Sequence, residues 1–574
     1  MKELYLGNQA LARGAWEAGV TVVSSYPGTP STEITEYAGG YREDIHAEWA
    51  PNEKVAMEVC VGASLAGARV LTCMKHVGMN VAADPLFTVS YTGINGGMVA
   101  VVADDPGMHS SQNEQDSRYY ARSAHLPMLE PSDSEECRSF IKKAYEISEK
   151  YDTPVLIRTT TRVAHSRSLV NLEDRVLPEL KEYSKNVAKN VMMPAMARGR
   201  HKVVEARDNA LARDAAGFGL HQEIIRDRSL GVVTAGISAC YVAEALPDAS
   251  VLKLGMVNPL PMELIREFAQ KVDRLVVVEE LEPVMEEQIR AAGIPCEGKA
   301  LFTRQGEYSA NEIARVLAGK PVPEHPAAVE VPGRPPVMCP GCPHRATFFV
   351  LKSMGMTVTG DIGCYTLGAA MDAMDTTLCM GASIGMAHGM ELARGLDQSK
   401  KTVAVIGDST FIHSGMTGLA EMCYNGGHGT VMILDNSTTG MTGHQNNPAN
   451  GKNLYGDPAS QIDLDTLVRA LGVKDVATVD PFDMKALRAA VKHAAEFDGV
   501  SVIIARRPCA LLDRTAHKPL KVDTALCKDC DACMKINCPA LMVKDGVRSI
   551  DATLCNGCGL CARMCAFNAL KVEE

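Results

Sequence analysis

Eight of the nineteen cysteines stand between residues 527 and 565. Six of them make two runs of the form C-x2-C-x2-C, Cys527, Cys530 and Cys533, then Cys555, Cys558 and Cys561. Each run is followed by one more cysteine, Cys538 before a proline and Cys565 before Ala566. Such a run wraps three thiolates around one face of an iron–sulfur cubane, while the remote fourth thiolate crosses to the other cluster. The spacing therefore predicts one [4Fe–4S] cluster on Cys527, Cys530, Cys533 and Cys565, and another on Cys555, Cys558, Cys561 and Cys538. Structural zinc is the alternative, but zinc sites favour paired C-x2-C motifs over runs of three plus one. The chemistry on offer is single-electron transfer. The departures are a loop of four residues, not three, before Cys538, and Ala566 where proline often follows the second run's remote cysteine.

A relay needs a donor, and a second set of chemistry-bearing residues lies in the middle of the chain. TVAVIGDSTF (402–411) reads as a buried strand ending at Gly407-Asp408-Ser409, and TVMILDNSTTG (430–440) as another ending at Asp435-Asn436. The stretch between them reads as a helix and turn, so both polar ends arrive at neighbouring carboxyl ends of a parallel sheet, where such sheets bind ligands. Asp408 and Asn436 are hard oxygen ligands of the kind that join Mg2+ to phosphate oxygens. Nearby stand MCPGCPHR (338–345) and GDIGCY (360–365), and SVIIARRPCALL (501–512) places Cys509 just past a late core strand.

The cysteine-rich tail resembles a bacterial two-cluster ferredoxin. The G-D-S and D-N pair resembles the diphosphate-binding motif of thiamine diphosphate (TPP) enzymes, with Ser409 in place of the more common glycine. C-P-G-C-x-H with G-C about twenty residues later resembles the 2-oxoacid:ferredoxin oxidoreductases. On that resemblance Mg2+ takes Asp408, Asn436 and the main-chain carbonyl of Thr438, with Gly407, Ser409, Gly363, Cys364 and His344 in the cofactor-binding surroundings. It also implies a third [4Fe–4S] cluster on Cys339, Cys342, Cys364 and Cys509. By themselves these four cysteines also read as small buried hydrophobic residues.

The front half fits the pyrimidine-binding partner of such a domain. SSYPGTPSTEI (24–34) is a strand running into a Pro/Gly turn and a helix start, whose free N–H groups suit an anion. It resembles the Y-P-x-T-P-S turn of the same family, which places Thr29 near the substrate. NEKVAMEVCVGASLAGARVL (52–71) reads as a small-residue helix opening at Glu53. In TPP enzymes a buried glutamate bonds the aminopyrimidine and promotes loss of the thiazolium C2 proton, and burial raises a carboxyl pKa toward that role. The resemblance selects Glu53, with Glu58 in reserve. A 2-oxo acid carboxylate needs a cation. Arg118 and Arg122 are four apart and share a face if helical; Arg118 is preferred, and His76 in MKHVGMN is a third candidate.

These residues require several domains to position them, and 574 residues supply enough chain. The expected class is α/β: doubly wound parallel-sheet TPP-enzyme domains plus a small α+β two-cluster ferredoxin domain at the C-terminus. A pyrimidine-type domain is expected at 1–165, a solvated connecting segment at 166–227 and a transketolase C-terminal-type domain at 228–318. The Pro-rich stretch 319–337 cannot be helix interior and reads as a linker. The diphosphate-type domain follows at 338–512 and the ferredoxin domain at 518–574. A formal charge of -11 excludes nucleic acid as the main partner and leaves room for a small anion held by local cations. No signal-peptide-like start and no uncharged apolar run of eighteen point to the cytoplasm and away from a membrane. There clustered cysteines are metal ligands rather than disulfides.

The domain order is similar to that of the large subunits of the indolepyruvate-type oxidoreductases. The resemblance implies oxidative decarboxylation of an arylpyruvate with coenzyme A (CoA), electrons passing to an external ferredoxin, and a small β subunit in an α2β2 assembly. Two alternatives stand beside it: a non-oxidative TPP decarboxylase or carboligase with structural clusters, and a non-catalytic electron-transfer subunit.

Overall fold

Mostly apolar runs such as Val70–Lys75 and Met98–Asp104 fold as strands buried on both sides, and Val155–Thr160 is buried throughout although it carries Arg158, which pairs with Asp104 and Glu130. The computed structural model describes residues 2–322, 333, 335–513 and 517–572, so most of the expected Pro-rich linker lies outside the described residues. The chain divides near residue 328 into two compact units.

In the first unit a seven-stranded sheet runs in the order Met256–Asn258, Met128–Leu129, Val155–Thr160, Met98–Asp104, Val70–Lys75, Val22–Ser25, His46–Trp49. Every neighbouring pair is parallel except the edge strand Met256–Asn258, which is antiparallel to Met128–Leu129. A smaller sheet pairs Asp227–Ala235 in parallel with Leu275–Val278 and Ala249–Leu254, and Gln222–Ile224 joins its edge. One apolar core spans both sheets, including Leu156 and Val102 from the first and Val233, Leu252 and Phe268 from the second region.

The segment 166–227 is more than a solvated connector. Arg167–Asn171 pairs with the first strand, Lys2–Leu6, and helix Pro194–Asp214 buries Val204, Arg207 and Leu211. Arg207 donates to the carbonyls of Ser90, His125 and Asp152. A polar sequence concealed these contacts because their acceptors are backbone atoms far away in the chain.

In the second unit five parallel strands run in the order Thr357–Thr359, Thr402–Gly407, Gly429–Asp435, Val500–Arg506, Asp475–Val479. Helices His344–Ser353 and Met484–Glu496 and the core around Val405, Met432 and Ile503 cover one face. Two short antiparallel ribbons follow, Leu520–Val522 with Leu570–Val572 and Leu541–Lys544 with Val547–Ile550. Ile536, Leu541 and Leu560 pack with Ala346 and Phe482, so the cysteine-rich tail shares an apolar core with the sheet domain. Among the described residues no helix is long and apolar enough to cross a membrane.

Candidate functional site

The two polar strand ends of the second unit adjoin as the β–α–β reading requires, because Thr402–Gly407 and Gly429–Asp435 are parallel neighbours. Asp408 is only 2% exposed. Its Oδ1 accepts from the Ser409 N–H at 2.7 Å and its Oδ2 from the Ser437 N–H at 2.9 Å. No cation pairs with it among the described residues, and burial, reinforced by the charge of Asp435, pushes its carboxyl up to about 7. Asp435 itself is neutralised by Arg506, whose Nε lies 2.7 Å from its carboxylate. Asn436 and Thr438 are buried beside it, and the Asn436 Oδ1 accepts from the Thr438 N–H at 3.3 Å. Ser409, where glycine is more usual, accepts at its hydroxyl from Thr439 at 3.0 Å. A buried carboxylate with an amide oxygen beside it is a donor set that suits a hard divalent cation.

The four cysteines assigned to a third cluster come from three separate loops and converge. The Cys342 N–H donates to the Cys339 carbonyl at 3.2 Å. Cys364 feels the charges of Cys509 and Cys339, and Cys342 feels those of Cys364 and Cys339. Burial pushes the Cys342 thiol up to about 12 and the Cys364 thiol up to about 11. Cys509 is tied to the backbone of the same strand end: its N–H donates to the Asn436 carbonyl at 2.9 Å. Gly363 begins the turn into Cys364–Met371, and a β-carbon there would meet the Tyr365 ring at 2.4 Å. Tyr365 stacks edge-on against His344, which is buried and held down to about 4 by that burial.

The tail contains two cavities, and their linings follow the crossed pattern. Cys527, Cys530, Cys533 and Cys565 line one, with Val522, Leu541 and Leu570. Cys538, Cys555, Cys558 and Cys561 line the other, with Arg345, Pro340 and Asn556. Among the described residues no three His, Cys, Asp or Glu side chains gather as they would around a single ion. Thiols set around a cavity suit a cubane, whose corners spread its four ligands apart.

In the first unit Glu53 opens helix Glu53–Leu65 and is 4% exposed, whereas Glu58 is exposed and paired with Lys54. The Glu53 carboxylate lies against the next helix, where a β-carbon on Gly78 would meet its Oε1 at 2.5 Å. His76 begins that helix, with Nε2 3.2 Å from the Asn113 carbonyl and Nδ1 buried without a hydrogen-bond partner. Thr29 is half-buried in its turn, and its carbonyl lies 3.4 Å from the Ser110 hydroxyl.

Arg118, the preferred cation, is already engaged within the folded chain. Arg118 is 1% exposed, forks onto Asp116, pairs with Glu279 at 2.6 Å, and donates to the carbonyls of Glu280 and Glu282 at 3.0 Å. In the free chain these bonds hold the 279–282 corner and enclose Arg118 between two carboxylates. Arg122 is exposed. A cation that the sequence reading passed over, Lys75, sits at the carboxyl end of Val70–Lys75 and is 7% exposed. Its Nζ donates to Ser110, and a β-carbon on Gly28 of the Pro/Gly turn would lie 3.2 Å from its own Cβ. Its place beside that turn at a strand's end was the available signal.

Family profiles match three stretches of the chain. Residues 13–215 match the thiamine diphosphate-binding domain of pyruvate flavodoxin/ferredoxin oxidoreductases, 361–505 the C-terminal TPP-binding domain of thiamine pyrophosphate enzymes, and 548–571 a 4Fe-4S binding domain. The indolepyruvate oxidoreductase subunit IorA of Archaeoglobus fulgidus is 40% identical over 99% of this chain and 97% of its own. That of Pyrococcus abyssi is 41% identical over 100% and 97%. The 2-oxoglutarate synthase subunit KorA of Archaeoglobus fulgidus is 25% identical over 48% of this chain and 87% of its own. With whole-length identity of this order joined to TPP-binding and 4Fe-4S domains, the chain belongs to the 2-oxoacid:ferredoxin oxidoreductase family, in the group of the indolepyruvate oxidoreductase IorA subunits.

Proposed function

We infer that this oxidoreductase decarboxylates an arylpyruvate such as indolepyruvate and transfers the acyl group to CoA. The balanced reaction is arylpyruvate plus CoA plus two oxidised ferredoxins giving aryl-acetyl-CoA, CO2, two reduced ferredoxins and a proton. The observation that carries this reading is the hydrogen bond from the Cys509 N–H to the Asn436 carbonyl. It joins a thiol suited to an electron acceptor directly to the edge suited to the diphosphate and its metal. A decarboxylase with merely structural clusters has no need of that adjacency.

TPP, when bound, supplies the carbon nucleophile and electron sink, and the clusters accept electrons singly. Asp408 and Asn436 hold Mg2+ through side-chain oxygens and Thr438 through its carbonyl, so the buried charge of Asp408 gains a counter-ion. Gly407, Ser409, Gly363 and His344 line the cofactor's surroundings. Glu53 exchanges the proton that activates the aminopyrimidine. Lys75 takes the substrate carboxylate, with Thr29 and His76 at the same sheet edge. Cys339, Cys342, Cys364 and Cys509 hold the cluster nearest TPP, and the crossed sets of the tail hold the other two.

Residues 1–165 serve the pyrimidine side and 338–512 the diphosphate side, 228–318 form the transketolase C-terminal-type domain, and 518–574 relay electrons. A small β subunit completes an α2β2 assembly in the cytoplasm, whose reducing conditions suit thiolate ligands. The test is product analysis: the purified complex is given indolepyruvate, CoA and oxidised ferredoxin without oxygen. Indole-acetyl-CoA in step with CO2 is the expected result; release of an aldehyde with no thioester overturns the reading.

A further inference from the structure

Arg345 is among the largest fully buried side chains of the protein, at 1% exposure, yet it has no carboxylate partner among the described residues. Its Nε donates to the Cys339 carbonyl at 3.0 Å, and its Nη1 to the carbonyls of Asn537 and Ile536, just before Cys538. Its Nη2 is buried without a hydrogen-bond partner. The same side chain lines the cavity of Cys538, Cys555, Cys558 and Cys561. Burial pulls its guanidinium down from its usual range, and ionised thiols of Cys538, Cys342, Cys339 and Cys558 oppose that pull.

The surroundings hold this junction rigid. Gly341, between Cys339 and Cys342, has φ +74°, and a β-carbon there would meet the Asn556 side chain at 2.2 Å. Asn556 donates to the Pro340 carbonyl at 3.3 Å, and Asn537 donates to the Ala370 carbonyl at 3.0 Å. Thus the loop of Cys339 and Cys342 faces the second cavity of the tail, not that of Cys527, Cys530, Cys533 and Cys565.

A buried cation without a carboxylate is costly unless another negative group compensates it. A cubane on four thiolates is anionic and gains one further negative charge with each electron it accepts, so a fixed guanidinium beside it favours the reduced form. We propose that Arg345 is the shared counter-charge of two neighbouring clusters, that of the Cys339 loop and that of Cys538, Cys555, Cys558 and Cys561, and raises the reduction potential of both. It is a positioning residue. An electron handed between two such clusters would oxidise one as it reduced the other, and Arg345 would hold its charge throughout without moving a proton. Arg345 does not line the cavity of Cys527, Cys530, Cys533 and Cys565, so a cluster there would lie outside its influence.

This inference rests on the three-cluster reading above. The test is a redox titration of the full complex followed by electron paramagnetic resonance (EPR), with iron content measured alongside, for the wild type, Arg345→Gln and Arg345→Lys. In Arg345→Gln two of the three clusters should become about tenfold less reduced at a fixed potential, about 59 mV for a one-electron couple, while the third stays put. Arg345→Lys, which keeps the charge, should remain close to wild type. Wild-type potentials in Arg345→Gln overturn the proposal. If that variant fails to take up iron, a tenfold shift in Arg345→Lys overturns it equally, because charge is retained there. A wild type lacking cubane signals and iron for a third cluster contradicts the three-cluster reading instead, and does so before any variant is compared.

Discussion

Both units bury arginine, but they treat the charge differently. In the first, Arg118 is enclosed by Asp116 and Glu279, and Arg158 by Asp104 and Glu130 at 2.6 Å. In the second, Asp408 has no cation and Arg345 no carboxylate among the described residues. Breaking a buried pair costs about 3–5 kcal/mol, and an isolated buried charge carries a penalty of several kcal/mol from the outset. A folded protein keeps such a charge where a ligand of opposite sign compensates it. Paired buried charge therefore marks architecture; a buried charge without an ionic partner is either held by backbone carbonyls alone, as Arg207 is, or stands beside a candidate ligand site, as Asp408 and Arg345 do.

The sharpest break of that comparison is Asp408→Ala. It should abolish Mg2+-dependent TPP retention and lower turnover by about a thousandfold or more, the scale of losing a preorganised electrostatic group at a reacting centre. TPP remaining after gel filtration, measured with the rate, checks this; full retention would return Asp408 to the architectural class. Arg118→Met should act in the opposite manner. It leaves Glu279 buried without its cation and Asp116 with only Arg158 at 3.9 Å, so denaturant unfolding should report a loss of about 3–5 kcal/mol. The folded fraction should keep its KM for the 2-oxo acid.

Lys75→Met should reverse those two readouts. Loss of a charged hydrogen bond to substrate lowers kcat/KM by about ten- to a hundredfold, with little change in unfolding midpoint, since Lys75 has no carboxylate within ion-pair distance among the described residues. The smallest effect is with pH. Burial pushes the Lys75 ammonium down to about 8, against the pull of Asp105. The cation is present below that value and lost above it, so kcat/KM should decline as pH rises through about 8. Lys75→Arg, which stays charged, should flatten that decline; an unchanged profile would remove Lys75 from the substrate site.

The ease of reading the sequence follows the same division. The grouping of the tail's thiols was legible because a C-x2-C-x2-C run is a local motif, and the linings of the two cavities group them as the crossed pattern of two-cluster ferredoxins would. Gly407-Asp408 and Asp435-Asn436 were legible because adjacent parallel strands bring their carboxyl ends together. The engagement of Arg118 was not legible because one of its partners, Glu279, is 161 positions away. Spacing on a helix face says nothing about such a partner. The contacts of Arg207 were hidden for the same reason, and the role of Arg345 follows only once the Cys339 loop is seen against Asn537 and Asn556.

The central claim is that electrons leave the 2-oxo acid for the iron–sulfur clusters of this chain. The most direct measurement follows the visible absorbance of the clusters in the anaerobic complex as indolepyruvate is added, with and without CoA. The account predicts bleaching that requires the 2-oxo acid and is completed by CoA. Clusters that dithionite still reduces, but that substrate and CoA leave unbleached while CO2 is released, would contradict it.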